Sequence, residues 1–249
     1  RYKFLLNYWN KTKEKNSLEM VEKSLKFMRA GGIYDQLGFG FHRYSTDKKW
    51  FLPHFEKMLY DQALLSEIYL DCYQITDKKI YKQTFKEIIK YTKEVMKSPE
   101  GGFYTAEDAD VDGKEGKYYV WEKEELYDIL PEKEARNLEH YYNVKAEGNI
   151  KLDSNNEFDK KNILHINYNE IDVIRKQNYN QNRKKLLNFR KNNRTSPHKD
   201  KKILTDWNGL MISSLAKGGR LLQNQKYLKM AEITVDFIEK NLFNENGTL

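Results

Sequence analysis

The segment GGIYDQLGFGFHRYSTDKKWFLPHFEKMLYD, residues 31–61, decides how the rest of the chain is interpreted. It places four glycines, two histidines, an arginine and several aromatic residues in one connection and the start of the next helix. A loop that only joins two helices does not need such residues, whereas ligand pockets commonly combine aromatic walls with a few polar groups. We therefore expect this segment to form a pocket wall.

The second half of this segment is predicted to begin a helix at Pro53 that runs to Ile75, because proline is favoured in the first helical turn. The helical repeat would then place His54, Met58 and Asp61 on one apolar face. An imidazole and a carboxylate on such a face must be hydrogen-bonded or must line a wet cavity, because burying them unpaired is costly. A satisfied core network and a cavity both remain open, and the polar, aromatic loop favours the cavity.

Composition indicates a folded chain without a membrane span. Of the 249 residues 39% are hydrophobic, and 18 tyrosines and 12 phenylalanines argue against disorder. The sequence has no run of eighteen apolar residues and no signal-peptide pattern, so we expect a cytoplasmic location. The single cysteine, Cys72, excludes an intrachain disulfide and a cysteine-rich zinc site within this segment, and is predicted to be a buried, inert thiol.

The net charge of +7 is concentrated in one stretch. Residues 173–202 contain eleven lysines or arginines and one acidic residue. Such a stretch could neutralise nucleic-acid phosphates, but its most basic part lacks interleaved aromatic residues and no base-reading motif accompanies it. A solvated linker helix is the favoured interpretation, and nucleic acid is not an expected partner.

A repeat indicates the fold class. Gly31-Gly32-Ile33-Tyr34 recurs as Gly101-Gly102-Phe103-Tyr104, each time after an amphipathic helix. Helix pairs closed by such turns predict an array of α-hairpins, which bury their faces by stacking on neighbours. We expect an all-α fold of the (α/α)6 toroid type. The sequence predicts about seven long helices, which are too few to close the ring. Residues 1–249 would form one partial toroid domain, with residues 143–204 as a basic insertion or linker.

Residues 102–121 are predicted to form a small β-hairpin, with Lys117 to Trp121 as its second arm. The acidic loop before that arm resembles the start of a calcium loop, but Tyr119 occupies the twelfth position, where a bidentate glutamate is required. We therefore predict no metal. An Asx-rich turn remains open, as does a carboxylate from Glu107, Asp108 or Asp110 that serves the cavity of His54.

Two further groups of residues have two interpretations each. Arg43 beside aromatic residues suits a carboxylate, a phosphate or sugar hydroxyls, while a salt bridge to Asp35 or Asp47 is the structural alternative. Asp206 is predicted to cap a helix that carries Trp207. These residues would be a cap and a core tryptophan, or they would line the same pocket as His54.

Three blocks carry a family resemblance: residues 31–61, GGFYTAEDADVDGKEGKYYVW at 101–121, and KKILTDWNGLMISSLAKGGR at 201–220. They resemble the thioredoxin-domain protein family that includes spermatogenesis-associated protein 20. In that family a thioredoxin-like domain precedes an (α/α)6 toroid similar to N-acylglucosamine 2-epimerases, cellobiose epimerases and six-hairpin glycosidases. The resemblance implies that this chain begins inside the toroid. Phe39 departs from the glycine that the family pattern has there, and we expect it to narrow the pocket.

We expect epimerase, isomerase or glycoside hydrolase chemistry on a sugar or polyol, without a cofactor. His54 would be the acid/base, with Glu56 or Asp61 as its orienting partner. The candidate catalytic residues are His54, Glu56, Asp61, Asp108 and Asp110. The candidate substrate-binding residues are His42, Arg43, Trp50, Lys57, Tyr60, Trp207 and Asn208. The alternative is a non-catalytic scaffold or chaperone-like domain that binds a partner. In both cases the resemblance implies a thioredoxin-like domain in the full-length chain.

Overall fold

The computed structural model describes residues 1–151, 158–171, 177–244 and 246–248. The helices are α1 Tyr2–Thr12, α2 Lys15–Ala30, α3 Leu59–Thr76, α4 Lys79–Tyr91, α5 Lys123–Ile129, α6 Glu132–Tyr141, α7 Gln177–Asn193, α8 Thr205–Leu221 and α9 Gln225–Asn241. The strands are β1 Tyr44–Ser45, β2 Pro53–His54, β3 Lys57–Met58, β4 Ala106–Glu107, β5 Asp110–Val111, β6 Lys114–Glu115 and β7 Lys199–Asp200. The chain divides into two compact units, which are described separately.

The first unit comprises Arg1–Lys23, Lys57–Glu107 and Lys199–Leu249. Its helices pack as hairpins, α3 against α4 and α8 against α9, and α3 also packs against α8. A buried hydrogen bond of 2.6 Å joins the hydroxyls of Ser66 and Ser214, whose small side chains let α3 and α8 approach closely. Strands β3, β4 and β7 form a three-stranded antiparallel sheet. Cys72 is fully buried in α3, which confirms the predicted burial of this thiol.

The second unit comprises Ser24–Glu56 and Asp108–His198. One hydrophobic cluster is built around Trp121, Leu126 and Leu186, and a second around Phe55 and Tyr119. Two short antiparallel hairpins, β1 with β2 and β5 with β6, carry polar residues on this unit. Helices α5 and α6 are separated at Pro131, because proline cannot continue the hydrogen-bond ladder of the preceding helix.

The predicted helix start at Pro53 is wrong. Pro53 and His54 form strand β2, in which His54 pairs with Tyr44, and helix α3 begins only at Leu59. Proline is compatible with the first residue of an edge strand as well as with a first helical turn. Here the backbone N–H and C=O groups of this segment are used in strand pairing, so His54, Met58 and Asp61 do not share a helix face.

The second arm of the predicted hairpin is also misplaced. The turn between β5 and β6 is Asp112-Gly113, both with positive φ (53° and 69°), which is the conformation that a two-residue hairpin turn requires. The return strand is therefore Lys114–Glu115, immediately after the turn, and not the segment from Lys117 to Trp121. The predicted Asx-rich turn agrees with this geometry.

The basic stretch is not a solvated linker helix where the structure describes it. Helix α7 belongs to the second unit, and its Arg183 and Arg190 side chains lie inside it, each residue 3% exposed. Residues 173–176 of the basic stretch, and residues 152–157 and 172–176 of the predicted insertion 143–204, lie outside the described residues. The interpretation of residues 1–249 as one domain stays a prediction.

Candidate active site on the second unit

The β1–β2 hairpin is positioned by a close approach of its loop to the glycine pair that follows α2. The backbone N–H of Ile33 donates to the carbonyl of Trp50 (3.1 Å). A Cβ atom on Gly31 would lie 2.1 Å from that carbonyl oxygen, so only glycine allows the contact. The glycines therefore set the place of the hairpin that carries His54.

The imidazole of His54 lies between two carboxylates. Its Nδ1 is 2.7 Å from Oε1 of Glu115, and its Nε2 is 3.4 Å from Oε2 of Glu56. The side chain of His54 is 27% exposed, so solvent or a ligand can reach it. The ring of Tyr44 stacks on the imidazole at 5.0 Å between centroids, which fixes the plane of the ring.

Glu115 reaches His54 because of the hairpin register. In the β5–β6 pair Asp110 lies opposite Glu115, and Oε1 of Glu115 also accepts a hydrogen bond from the backbone N–H of Phe55 (3.2 Å). This second bond anchors the carboxylate to strand β2, beside His54. Sequence reasoning did not select Glu115, although the Asp112-Gly113 turn signal would have placed it opposite Asp110.

Arg43 completes the chain of charges. Its guanidinium donates to Oε2 of Glu56 at 2.8 Å, and the backbone N–H of Arg43 donates to the carbonyl of Glu56 (2.8 Å). The structure gives Arg43 an ion pair with Glu56, a partner that the sequence analysis did not offer. Arg43, Glu56, His54 and Glu115 thus form one continuous polar network on the second unit.

His42 lies beneath this network and is only 2% exposed. Its Nδ1 is 2.8 Å from the carbonyl oxygen of Phe55, and its ring edge packs against Phe55 and Tyr119. Trp50 is partly buried and adopts a positive φ of 61° in the loop between β1 and β2. The substrate-binding roles assigned to His42 and Trp50 stay predictions.

A buried ion pair holds the loop that follows α2 and precedes Arg43. Arg190 on α7 binds both carboxylate oxygens of Asp35, at 3.0 and 2.7 Å, and both side chains are almost completely buried. The carboxylate of Asp35 raises the pKa of Arg190 despite burial, which keeps the guanidinium charged. Arg183 donates to the carbonyl of Leu37 and lies 4.4 Å from the centre of the Phe39 ring. Sequence reasoning missed these arginines because it considered their stretch only as a solvated or nucleic-acid-binding segment.

A cavity of about 350 Å³ adjoins the network at Glu115. Its other lining residues include Lys114, Tyr118 and Arg194. Arg194 is held by Glu125 at 2.7 Å and by two backbone carbonyls, so its donors are largely used by the protein. The volume lies within the range of small-molecule pockets.

The predicted acidic residues Asp108 and Asp110 both belong to the second unit. The Asp108 carboxylate is half exposed and lies 3.3 Å from Nδ1 of His198, while Asp110 is exposed on β5. Glu115 occupies the place at His54 for which these two residues were candidates. Their roles as a second catalytic carboxylate stay predictions.

The other candidate residues belong to the first unit. Lys57 is buried on β3, with its ammonium 4.5 Å from the ring centre of Tyr91. Tyr60 packs edge-on against Trp207, with 4.7 Å between ring centres. Asp61 lies in the first turn of α3. The roles of Lys57, Tyr60, Asp61 and Trp207 stay predictions.

The start of α8 differs in detail from the prediction. Leu204, and not Asp206, is the N-cap residue, and Asp206 lies in the first turn with its Oδ1 accepting from the N–H of Trp207 (2.8 Å). The amide of Asn208 is fully buried and bridges both backbone groups of Phe103. These bonds tie α8 to the segment after Gly102, and the substrate-binding role of Asn208 stays a prediction.

Two absences hold for the part of the chain that the structure describes. No group of three or more His, Cys, Asp or Glu side chains there could hold a metal ion. No helix in the same part is both long and apolar enough to cross a membrane.

Sequence comparison confirms the similarity to spermatogenesis-associated protein 20, while the thioredoxin-like domain stays a prediction. No family model matches the chain. It is 36% identical to mouse spermatogenesis-associated protein 20 over 272 aligned positions, which cover 97% of this chain and 34% of that protein. An uncharacterised protein of Caenorhabditis elegans is also 36% identical, over 95% of this chain and 36% of its own length. The chain therefore spans about a third of the length of the curated relatives it matches.

Structure comparison confirms the fold class. The crystal structure of a family 76 glycoside hydrolase from a bovine Bacteroides thetaiotaomicron strain matches with a TM-score of 0.54 and 12% identity, over 96% of this chain and 33% of that chain. The fold is thus that of the helical hairpins of an (α/α)6 toroid, with small added sheets. At this identity the likeness concerns the fold alone.

Proposed function

We propose that the second unit performs acid/base chemistry on a sugar or polyol, as an epimerase, isomerase or glycoside hydrolase. The observation that supports this proposal is the partly exposed imidazole of His54, held between the carboxylates of Glu115 and Glu56. A histidine with an orienting carboxylate is a common general acid/base in enzymes. The proposal includes a cytoplasmic location and no cofactor.

Hydrogen bonding defines two working states of His54. The protonated ring can donate from Nδ1 to Glu115 and from Nε2 towards Glu56. The neutral ring keeps the shorter contact by donating from Nδ1 to Glu115, and then presents the lone pair of Nε2. Glu115 therefore orients the ring, and Nε2 is the atom that takes a proton from the substrate or returns it.

Glu56 and Arg43 have complementary roles in this scheme. The 3.4 Å separation between Nε2 and Glu56 is longer than a normal hydrogen bond, so a substrate hydroxyl can compete for Nε2. Arg43 holds Glu56 at 2.8 Å and offers further donors to substrate oxygens, with 43% of its side chain exposed. Tyr44 supplies an exposed ring for stacking on a sugar face. The place proposed for the sugar is the exposed surface at Nε2 of His54, where Arg43 and Tyr44 are also exposed.

The roles of Asp61, Lys57, Tyr60 and Trp207, which belong to the first unit, stay predictions and form no part of the site on the second unit. The full-length protein would also carry a thioredoxin-like domain, as the family resemblance implies. We expect a thioredoxin-like segment before these residues in the full-length protein, and its full sequence tests this expectation.

The proposal is tested with the purified protein and a panel of aldoses, ketoses, disaccharides and polyols. Proton NMR of the mixture detects epimerised or hydrolysed products. We expect one sugar class to turn over, and His54→Gln to lower kcat/KM by about 10²-fold or more. The matched control is His198→Gln, which removes a histidine of the same unit that also faces a carboxylate but is 78% exposed. No turnover across the panel, or equal activity of both variants, would contradict the proposal.

A non-catalytic scaffold is the second candidate, and one observation favours it. The network from Arg43 to Glu115 links the β1–β2 hairpin to the β5–β6 hairpin, so it could serve only to hold the two together. In that case Glu115→Gln would lower the melting temperature, and neither wild type nor variant would bind or convert a sugar. Saturable thermal stabilisation of wild type by one sugar, lost in His54→Gln, excludes the scaffold reading.

A further inference from the structure

A second and larger cavity lies in the second unit, with a volume of about 760 Å³. Its walls come from the end of α2, from the loop between β1 and β2, and from residues 143–151 and 165–168. None of the four residues of the polar network, Arg43, His54, Glu56 and Glu115, lines it. The cavity therefore needs an explanation of its own.

The charges around this cavity are unbalanced. Lys48, Lys49, Lys145 and Lys151 line it, and within the described ranges none of their ammonium groups makes an ion pair. Among the described residues of the lining, Asp47 is the one acidic residue. Its Oδ1 accepts from the backbone N–H of Lys49 at 2.5 Å and its Oδ2 from that of Leu52 at 2.7 Å, so this carboxylate is directed at its own loop. In the part of the chain that the structure describes, the rim thus presents several positive charges without an ion-pair partner, which favours a ligand with more than one negative charge.

The body of the cavity is formed by rings. Phe27 and Tyr168 are stacked, with 4.1 Å between centroids and an angle of 10° between planes. Phe51 packs edge-on against His165, with 4.9 Å between centroids. Such flat apolar surfaces favour a flat ring in the ligand, because base-like rings stack on aromatic side chains.

His165 adds a polar group to the ring walls. Burial lowers the pKa of its imidazole, so the ring is neutral near pH 7. Its Nδ1 lies 3.1 Å from the carbonyl oxygen of Ile163 and must carry the proton to make that bond. Nε2 is then a hydrogen-bond acceptor, which suits an amino or hydroxyl group on the ligand.

We propose that this cavity binds a nucleotide-like ligand, with a flat heterocyclic ring against the aromatic residues and a phosphate monoester at the lysines. Lysine is a common phosphate binder because its ammonium is a compact charge with three donors. A phosphate monoester carries up to two negative charges, and it therefore fits a rim with several lysines better than a neutral sugar does. The site is independent of the sugar chemistry proposed for His54.

The test uses isothermal titration with adenosine 5′-monophosphate and, by fluorescence quenching, flavin mononucleotide. Adenosine supplies the ring without the phosphate, and ribose 5-phosphate supplies the phosphate without the ring. The charge variant is Lys48→Gln/Lys49→Gln. Its matched control is Lys184→Gln/Lys185→Gln, an adjacent, exposed lysine pair on α7 of the same unit that does not line the cavity.

We expect at least one nucleotide to bind near one equivalent, with affinity that falls as salt is raised. The charge variant should weaken binding about tenfold, while the control pair leaves it unchanged. Tyr168→Leu should weaken nucleotide binding but not that of ribose 5-phosphate. All variants should keep the wild-type melting temperature within about 3 °C, since the lysines are exposed and leucine keeps an apolar side chain at position 168.

Three results would overturn the proposal. The first is no saturable binding of either nucleotide up to about 1 mM, the weak end of the affinity scale for specific ligands. The second is an equal loss of affinity in the two lysine-pair variants, which would indicate a general effect of net charge. The third is equal affinity for adenosine and its monophosphate, which would show that the lysines do not contact the ligand.

Discussion

Replacing Asp35 by asparagine should destabilise the second unit strongly. The substitution keeps the size of the side chain and the oxygen that accepts from the N–H groups of Leu37 and Gly38, both at 3.0 Å. It removes the negative charge that Arg190 binds through two hydrogen bonds. The guanidinium, 3% exposed, is then left buried without its counter-ion.

The expected magnitude follows from that burial. Breaking a buried ion pair on one side costs roughly 3–5 kcal/mol, because one charge remains desolvated and uncompensated. For a protein of this size each kcal/mol lowers the melting temperature by about 2–4 °C, so a fall of roughly 6–20 °C is expected. The double variant Asp35→Asn/Arg190→Met removes both charges and should recover part of this loss, since an apolar replacement of a buried pair is often tolerated.

Differential scanning fluorimetry and urea unfolding measure the effect. The matched control is Arg136→Gln, which breaks an ion pair with Glu132 in the same unit whose side chains are each 72% exposed. That control should melt within about 2 °C of wild type, because exposed pairs contribute little. The reasoning is refuted if Asp35→Asn shifts the melting temperature no more than Arg136→Gln does, or if the effects of the two substitutions at positions 35 and 190 simply add.

Three further predictions follow from burial and close approach. Burial raises the pKa of the Cys72 thiol to about 12, so only about 10⁻⁴ of it is thiolate at pH 8 and it should react with Ellman's reagent only after denaturation. Burial lowers the pKa of His165, so the unfolded chain binds more protons than the folded one as pH falls below about 6.5. The free energy of unfolding, measured with urea, should therefore decline below that pH. His165→Asn should make this decline smaller. Gly31→Ala places a Cβ 2.1 Å from the Trp50 carbonyl oxygen and should lower the free energy of unfolding by roughly 1–3 kcal/mol or more, as measured with urea. The control is Gly113→Ala, whose Cβ meets nothing within 4 Å, so that it tests the effect of positive φ alone.

The helical part of the fold was predictable because its signals are local. The hydrophobic repeat of α2 ends at Ala30, before Gly31, and the break between α5 and α6 falls at Pro131. The glycine-pair repeat predicted helical hairpins, and the likeness to a glycoside hydrolase confirms that class, but the hairpins α3–α4 and α8–α9 are closed by residues 77–78 and 222–224 and not by the glycine pairs. Each of these signals depends on neighbours within a few residues, so one sequence carries them.

The candidate site was only partly predictable. His54, Glu56 and Arg43 were predicted from one segment, and they contact one another in the structure, while their roles stay predictions. Glu115 was not predicted, because the helix expected at Pro53 would place residues one helical turn from His54, and not a distant strand, beside its imidazole. The pairing of β1 with β2 replaces that helix, and a proline before a histidine is compatible with both structures.

The sequence by itself determined that helices dominate the fold, where glycine and proline end some of them, and which short segment concentrates polar and aromatic residues. Only the tertiary structure decided the partners: Glu115 lies 61 residues after His54, and Arg190 lies 155 residues after Asp35. The physical reason is that helix signals repeat every few residues, whereas ion pairs and short strand pairings are selected by burial and backbone hydrogen bonding between distant segments. A basic stretch that resembles a solvated surface therefore supplies the buried arginine that holds the loop of the site.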